Sequence, residues 1–270
     1  MRFARMLRNG EFPVALEITP PRRPLKRVLL RRARLLDHAA QAVNVIHRPD
    51  RQSSLDASLE LIASGIEPVW HLVIRGRSHG EIAADIERAR AGGIGQVLCV
   101  RGDQPEGNAE GPTIREVVAM VADVIPGALV GATLNQYRAS PAAIRNLAGK
   151  LDAGAGYVQT QPVFDVPAFA AAAERVLDVA PAVKLVPMVM PLLSGEAIDR
   201  IGERLHLPFP AGFRRRVASG PATAWEAFAE LVAELRATGL AHGLAVMTLE
   251  TDPPPEVGAR IVATLQAAAA

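Results

Sequence analysis

The chain has 270 residues, 49% of them hydrophobic and 21% charged, which excludes a disordered chain and suits one α/β domain with a large core. Net charge is only +2, and the basic clusters at 22–34 and 214–216 lack interleaved aromatics, which argues against a nucleic-acid groove. A single cysteine, Cys99, excludes an intrachain disulfide framework and a Cys-based zinc site.

In chain order, apolar β-rich segments fall at 14–18, 42–46, 68–74, 96–100, 128–134, 156–159, 183–189 and 243–249. Most are near-continuous apolar runs, as parallel strands covered on both faces read. Helical periodicity occupies 25–40, 53–64, 79–91, 113–124, 141–151, 166–179 and 222–237 between them. Pro141 and Pro167 stand where a helix can start, and Gly65, Gly92, Gly93 and Gly239 follow helical stretches, where a left-handed cap is common. The seventh connection, 192–240, is the longest and leaves room for an extra short helix at 194–205. Three prolines at 253–255 end the last strand segment, and 252–270 reads as a closing helix with an alanine tail.

Eight strands alternating with helices predict a single-domain (β/α)8 TIM barrel over 1–270. An open doubly wound sheet is the alternative, but no Gly-x-Gly-x-x-Gly follows the first strand. The longest run free of Asp, Glu, Lys and Arg, 124–137, is shorter than the about 20 apolar residues a spanning helix needs. Residues 1–10 carry three arginines and no apolar core of a secretory signal. A cytoplasmic protein that binds neither membrane nor nucleic acid is the expectation.

Barrel chemistry gathers at the C-terminal ends of the strands, so the polar residues there are the candidates. Glu17 sits inside the first apolar strand. Facing the lumen, it would be desolvated and its pKa raised, as a general acid requires; the alternative is a structural ion pair with a strand-end arginine. Asp103 follows Arg101 and Gly102; its carboxylate suits an amidine-like ring edge, or pairs with Arg101. Gln161 offers both a donor and an acceptor, for a ligand or for its own turn. His71 reads as a core histidine and Cys99 as packing. Six scattered histidines show no metal-ligand spacing, so no metal is expected.

These strand ends carry a pattern. Leu16-Glu17-Ile18-Thr19-Pro20-Pro21-Arg22, Trp70-His71-Leu72, Val100-Arg101-Gly102-Asp103, Lys150-Leu151-Asp152-Ala153-Gly154-Ala155 and Thr160-Gln161-Pro162-Val163-Phe164-Asp165 resemble, in order, the motifs of methylenetetrahydrofolate reductases. Val189-Met190-Pro191-Leu192 and Thr248-Leu249 match weaker ones. The resemblance implies a (β/α)8 barrel that reduces 5,10-methylenetetrahydrofolate to 5-methyltetrahydrofolate, with FAD as cofactor and hydride from NADH or NADPH. It implies Glu17 as the general acid that opens the bridged ring to an iminium, and Asp103 as a catalytic residue touching pterin and flavin. Gln161 and Phe164 join Asp103 as folate-binding residues. His71, Arg101, Gly102, Asp103, Thr133, Asn135, Lys150, Ala153 and Ala155 become cofactor-binding positions.

Other positions depart from the family pattern. Ile46 stands where a threonine is common, Ala143 where an aspartate is, 133–135 lack a tyrosine, and Glu250-Thr251 replace Asn-Arg. Two alternatives therefore stay open: a flavin-free reductase passing hydride directly from NAD(P)H to folate, and a folate-binding subunit that needs a redox partner. A homo-oligomer is a further possible assembly.

Overall fold

Strand periodicity and helix punctuation become one closed wall. The computed structural model describes residues 1–102 and 111–269. Among them, β1 (Val14–Ile18), β2 (Ala42–Val45), β3 (Pro68–Val73), β4 (Gln96–Val100), β5 (Leu129–Leu134), β6 (Tyr157–Pro162), β7 (Lys184–Val189) and β8 (Leu244–Val246) pair in parallel, each with the next, and β8 closes on β1. This is the expected (β/α)8 barrel; the open sheet is excluded.

Helices α2 (Lys26–Ala33), α3 (Ser54–Ile62), α4 (His79–Ala91), α5 (Ile114–Val124), α6 (Pro141–Asp152), α7 (Val166–Val179), α8 (Gly195–Leu205), α9 (Ala211–Ala218), α10 (Pro221–Ala237) and α11 (Pro255–Ala267) surround it; α1 (Arg2–Arg8) precedes β1. Local chemistry sets several starts. Ser78 with Glu81, and Thr113 with Glu116, form reciprocal capping boxes, while Ser140 and Asp165 cap the helices that begin with prolines.

Three differences from the sequence reading have physical causes. The helix expected over 25–40 ends at Ala33, because the chain turns at Asp37 (φ 45°) into a short 3-10 segment, Asp37–Ala39. The last strand is three residues rather than seven, since 247–249 leave the wall to line a cavity. The long seventh connection holds two helices, α8 and α9, where one was expected.

Helix α1 was not expected at all, and it seals the barrel floor. Its Phe3, Ala4 and Leu7 pack on the inward-facing Ala15, Ala42, Val69, Leu98, Leu129 and Tyr157. Phe3 meets Tyr157 edge-on, ring centroids 6.4 Å apart. Tyr157 in turn needs a glycine beside it, since a Cβ on Gly131 would lie 2.3 Å from its ring.

Strand register stacks the inward side chains in layers drawn from alternate strands. Glu17, His71, Thr133 and Met188 form an upper layer; Asn44, Leu98, Gln159 and Ala245 lie below it. The upper polar layers face the mouth and the apolar ones face α1. Apolar side chains on the opposite face of the strands form the main core with the helices. No helix among the described residues is long and apolar enough to cross a membrane.

Candidate active site

Glu17 is placed by the strand pleat: Leu16 and Ile18 point outward into the core, so Glu17 points into the lumen. Two buried amides meet it there. Gln159 on β6 donates from Nε2 to Glu17 Oε2 at 3.3 Å, and Asn44 on β2 donates from Nδ2 to Gln159 Oε1 at 2.8 Å. Asn44 fixes the orientation of the Gln159 amide, so its N–H side must face the carboxyl.

Burial is the largest influence on Glu17 and pushes its pKa up to about 7. The Gln159 hydrogen bond, and then the Arg48 and Arg204 charges, act in the opposite direction. The result is a carboxyl that holds and releases a proton near neutrality. Among the described residues no ion pair to Glu17 lies within contact distance; Arg48 and Arg204 act on it from further away.

His71 lies in the same layer as Glu17. Burial lowers its pKa to about 3, so the imidazole is neutral, and its Nε2 is buried with no hydrogen-bond partner among the described residues. Its backbone carbonyl accepts from Ser54 Oγ at 2.9 Å. An orphaned buried ring nitrogen at the mouth of a barrel is a group waiting for a polar ligand atom or an ordered water.

A cavity of about 610 Å3 opens above Glu17 between β1, the β2 exit and the β8 exit. Thr19, Ile46, Arg48, Arg204 and Met247 are among its lining residues. Its outer wall is held by Arg32, which donates to the Thr19 carbonyl at 2.7 Å and to Asp252 Oδ1 at 3.0 Å. The two arginines beside Asp252 hold its carboxyl below the usual range.

The other sequence-predicted residues divide. Thr133 turns into the lumen with Glu17 and His71. Gln161 stands at the irregularity where β6 gains a residue against β7, and its side-chain amide makes no hydrogen bond among the described residues. Bulges next to barrel mouths re-aim side chains in this way. Arg101 and Gly102 lie at the exit of β4; Gly102 takes φ 93°, and a Cβ there would strike Val73 Cγ1 at 2.5 Å. Asp103 lies outside the described residues.

Three placements differ from the expectation of direct ligand contact. Phe164 is buried against Phe209 and Phe213, ring centroids 4.6 and 5.3 Å away, so its ring anchors the α8–α9 segment rather than facing the lumen. The Asn135 side-chain oxygen caps the next turn, accepting from Tyr137 N at 3.1 Å. Ala153 and Ala155 lie in the turn that enters β6, at the opposite end of the strand from the mouth, with Ala155 in the strand–helix core. Lys150 is part-buried on α6, where burial and then the Arg115 charge hold its ammonium below the usual range, and the neighbouring Gly149 is covered by the Arg115 guanidinium.

Sequence reasoning gave a role to neither Asn44 nor Gln159. Both carried a readable signal: an amide inside an apolar run, at a position whose register faces Glu17. Tyr137 was missed too. Its hydroxyl donates to the Pro162 carbonyl at 3.1 Å and accepts from Phe164 N at 2.9 Å, locking the loop after β6.

The chain is a (β/α)8 protein whose buried Glu17 carboxyl, held by buried amides, lies toward the C-terminal end of the barrel strands, where barrel proteins carry their chemistry. The sequence profile of the Methylenetetrahydrofolate reductase family matches residues 2–257, and the chain belongs to that family. A curated relative, "Probable methylenetetrahydrofolate reductase (NADPH)" of Caenorhabditis elegans, is 26% identical over 168 residues, 58% of this chain and 25% of that protein. The match thus spans about a quarter of the length of that relative.

Two solved structures share the fold. One is an uncharacterized protein from Clostridium thermocellum that binds two copies of 5-methyl-5,6,7,8-tetrahydrofolic acid; its TM-score is 0.72 at 14% identity, over 98% of both chains. The other is a cube-shaped, highly porous cage designed by fusing symmetric oligomeric domains, with TM-score 0.55 at 10% identity, covering 95% of this chain and 72% of that one.

Proposed function

We propose that the protein reduces 5,10-methylenetetrahydrofolate to 5-methyltetrahydrofolate with hydride from NADH or NADPH, and that Glu17 supplies the proton. The observation that carries this reading is the lumenal Glu17 carboxyl, poised near neutrality at the floor of the mouth cavity, in a chain of this family. The folate-binding fold neighbour supports the substrate class.

In the reaction, the Glu17 proton goes to the nitrogen that leaves as the bridged ring opens, and the methylene carbon becomes an iminium. Hydride adds to that carbon and yields the methyl group, the nicotinamide nucleotide is oxidised, and Glu17 regains its proton from solvent. Gln159 holds the carboxyl through one oxygen, and the barrel wall excludes bulk water from the iminium. The free amide of Gln161 and the orphaned His71 nitrogen are available to hydrogen-bond the pterin.

The family resemblance implies FAD between nucleotide and folate, where it would relay the hydride. Of the described positions it assigns to FAD, His71 and Thr133 face the lumen in the Glu17 layer, and Arg101 and Gly102 lie at the exit of β4. The α6 surface next to Lys150 is covered by Arg115, and Ala153 and Ala155 lie at the far end. The departures at Ile46, Ala143 and 133–135 speak against a retained flavin, and no step is derived through it. The proposed route is direct transfer from nucleotide to folate. The absorption spectrum tests it: purified protein is expected to be colourless and to oxidise NADH or NADPH only when methylenetetrahydrofolate is present. A yellow protein bleached near 450 nm by the nucleotide (the general flavin band) would restore FAD to the route.

Gln159 gives a second test. Replacing it with Leu removes a hydrogen bond that favours the charged carboxylate, so the Glu17 midpoint rises further. The rate of a proton-donating step falls as pH passes that midpoint, so the falling limb of the Gln159→Leu profile is expected about one unit higher than in the wild type, the size of a charge-assisted hydrogen bond of ~1.4 kcal/mol. An unmoved limb would show that Gln159 does not tune the acid.

A further inference from the structure

Part of the positive charge lining the mouth cavity meets no acid among the described residues. Around Glu17 its wall holds Arg31, Arg34, Arg48 and Arg204. Asp252 is committed to Arg31 and Arg32, and Glu250 to Arg200 at 2.6 Å. Arg34 and Arg48 have no carboxylate within ion-pair distance among the described residues, and Arg48 is half-buried. A part-buried guanidinium without a counter-ion is unfavourable, and neighbouring like charges add repulsion. An anionic group in the cavity relieves both.

We propose that this cavity is an anion-binding subsite of the active site, and that filling it places the proton on Glu17. Both halves have one cause. Arg48 and Arg204 act on Glu17 through space and stabilise its charged form. An anion beside Arg48 offsets that charge and adds its own negative field, and each change favours the neutral carboxyl. The other described groups facing Glu17 are uncharged: Gln159 from β6, Asn44 from β2, His71 from β3, Thr133 from β5, Met188 from β7 and Met247 beyond β8. Among the described residues, the arginines are the charges that an anion alters.

The effect is reciprocal. Protonation of Glu17 removes a negative charge from the cavity floor and strengthens anion binding, while rising pH weakens it. Guanidinium groups match carboxylate and phosphate oxygens. Both proposed substrates carry such groups, the folate on its glutamate tail and the nucleotide on its diphosphate. The substrate that enters the site thereby arms its own acid. The identity of the ligand rests on the proposed reductase activity; the coupling of anion and proton does not.

The test is a titration of the full chain carrying 13C-labelled glutamate carboxyls, with Glu17 assigned from Glu17→Gln. Sulfate is the probe, at constant ionic strength made up with chloride. Saturating sulfate is expected to raise the Glu17 midpoint by about half a unit, and sulfate is expected to bind about threefold more weakly well above the midpoint than well below it. In Arg48→Gln, sulfate affinity is expected to fall about tenfold and the sulfate-free midpoint to rise.

A second measurement identifies the occupant. Binding of 5-methyltetrahydrofolate with one or three γ-linked glutamates, and of NADP+, is compared between wild type and Arg48→Gln; the ligand whose affinity drops about tenfold fills the cavity. A midpoint that sulfate does not move, sulfate binding that Arg48→Gln leaves intact, or no Arg48 dependence for either ligand overturns the proposal. If instead Glu17→Gln keeps full folate reduction, the proton-donor reading fails while the sulfate linkage still stands.

Discussion

Glu17→Gln is expected to lower folate reduction by about 10²- to 10⁴-fold, the range that a positioned proton donor contributes, without loss of the barrel. The substitution is nearly isosteric, and its carbonyl oxygen can still accept from Gln159 Nε2, whose direction Asn44 fixes. What disappears is the transferable proton. Single-turnover nucleotide oxidation against pH is the measurement. The wild-type rate is expected to fall about tenfold per unit above pH 7, because burial sets the Glu17 midpoint at about 7 and only the protonated form donates. The variant is expected to be slow and flat across that range.

Stability should move in the opposite sense to activity. A carboxyl whose folded midpoint is raised from 4.5 to about 7 costs stability progressively as pH climbs from 4.5, where the unfolded chain ionises and the folded one does not, and the full cost is carried above 7. Glu17→Gln escapes that penalty. Because the carboxyl still meets the cavity, the expected gain at pH 8 is about 1–3 kcal/mol by denaturant melts, and none at pH 4. Full activity in Glu17→Gln would remove Glu17 from the chemistry. Lost activity together with lost stability would point to misfolding instead.

This pairing of an unfavourable buried charge with a chemical task shows why Glu17 was legible in the sequence. An acid inside Val14–Ile18 breaks an otherwise apolar run, and local sequence has no reason to place it there. The strands were legible for the same reason in reverse: parallel strands covered on both faces concentrate apolar residues, and β1 and β4 keep their expected bounds. Gln159 and Asn44 were harder to see. Their partnership spans 115 positions of sequence and exists only because barrel closure brings β2 and β6 to face each other across the lumen. Phe164 misled for a related reason. Its motif marks the loop, but the ring direction depends on Phe209 and Phe213, which come from the long seventh connection far along the chain.

Helix α1 was illegible because its apolar residues are few and its polar ones are arginines. Nothing in a seven-residue stretch with no side-chain cap announces a stable helix. Tertiary contacts supply what propensity does not. Glu67, just before β3, accepts from the Arg2 amide at 2.6 and 2.8 Å and puts a carboxylate at the helix N-terminus. Phe3 and Leu7 then enter the open floor of the barrel.

Phe3→Ala is therefore expected to be the most damaging single change outside the site. Phe3 is fully buried against Tyr157, and its loss opens a cavity in a layer that cannot collapse, since the surrounding wall is a closed ring of strands. The expected cost is about 3–5 kcal/mol, read as a fall in thermal midpoint of about 6–20 °C at the ~2–4 °C per kcal/mol typical of chains of this size. Phe3→Leu, which keeps most of the volume, is expected to cost less than half as much. The floor and the mouth are separated by several layers of side chains, so the pH dependence of folate reduction should be unchanged in Phe3→Leu at temperatures where it is folded. A loss below 1 kcal/mol in Phe3→Ala would show that α1 covers the barrel without sealing it, and that the lumenal layers above Tyr157 hold the wall together unaided.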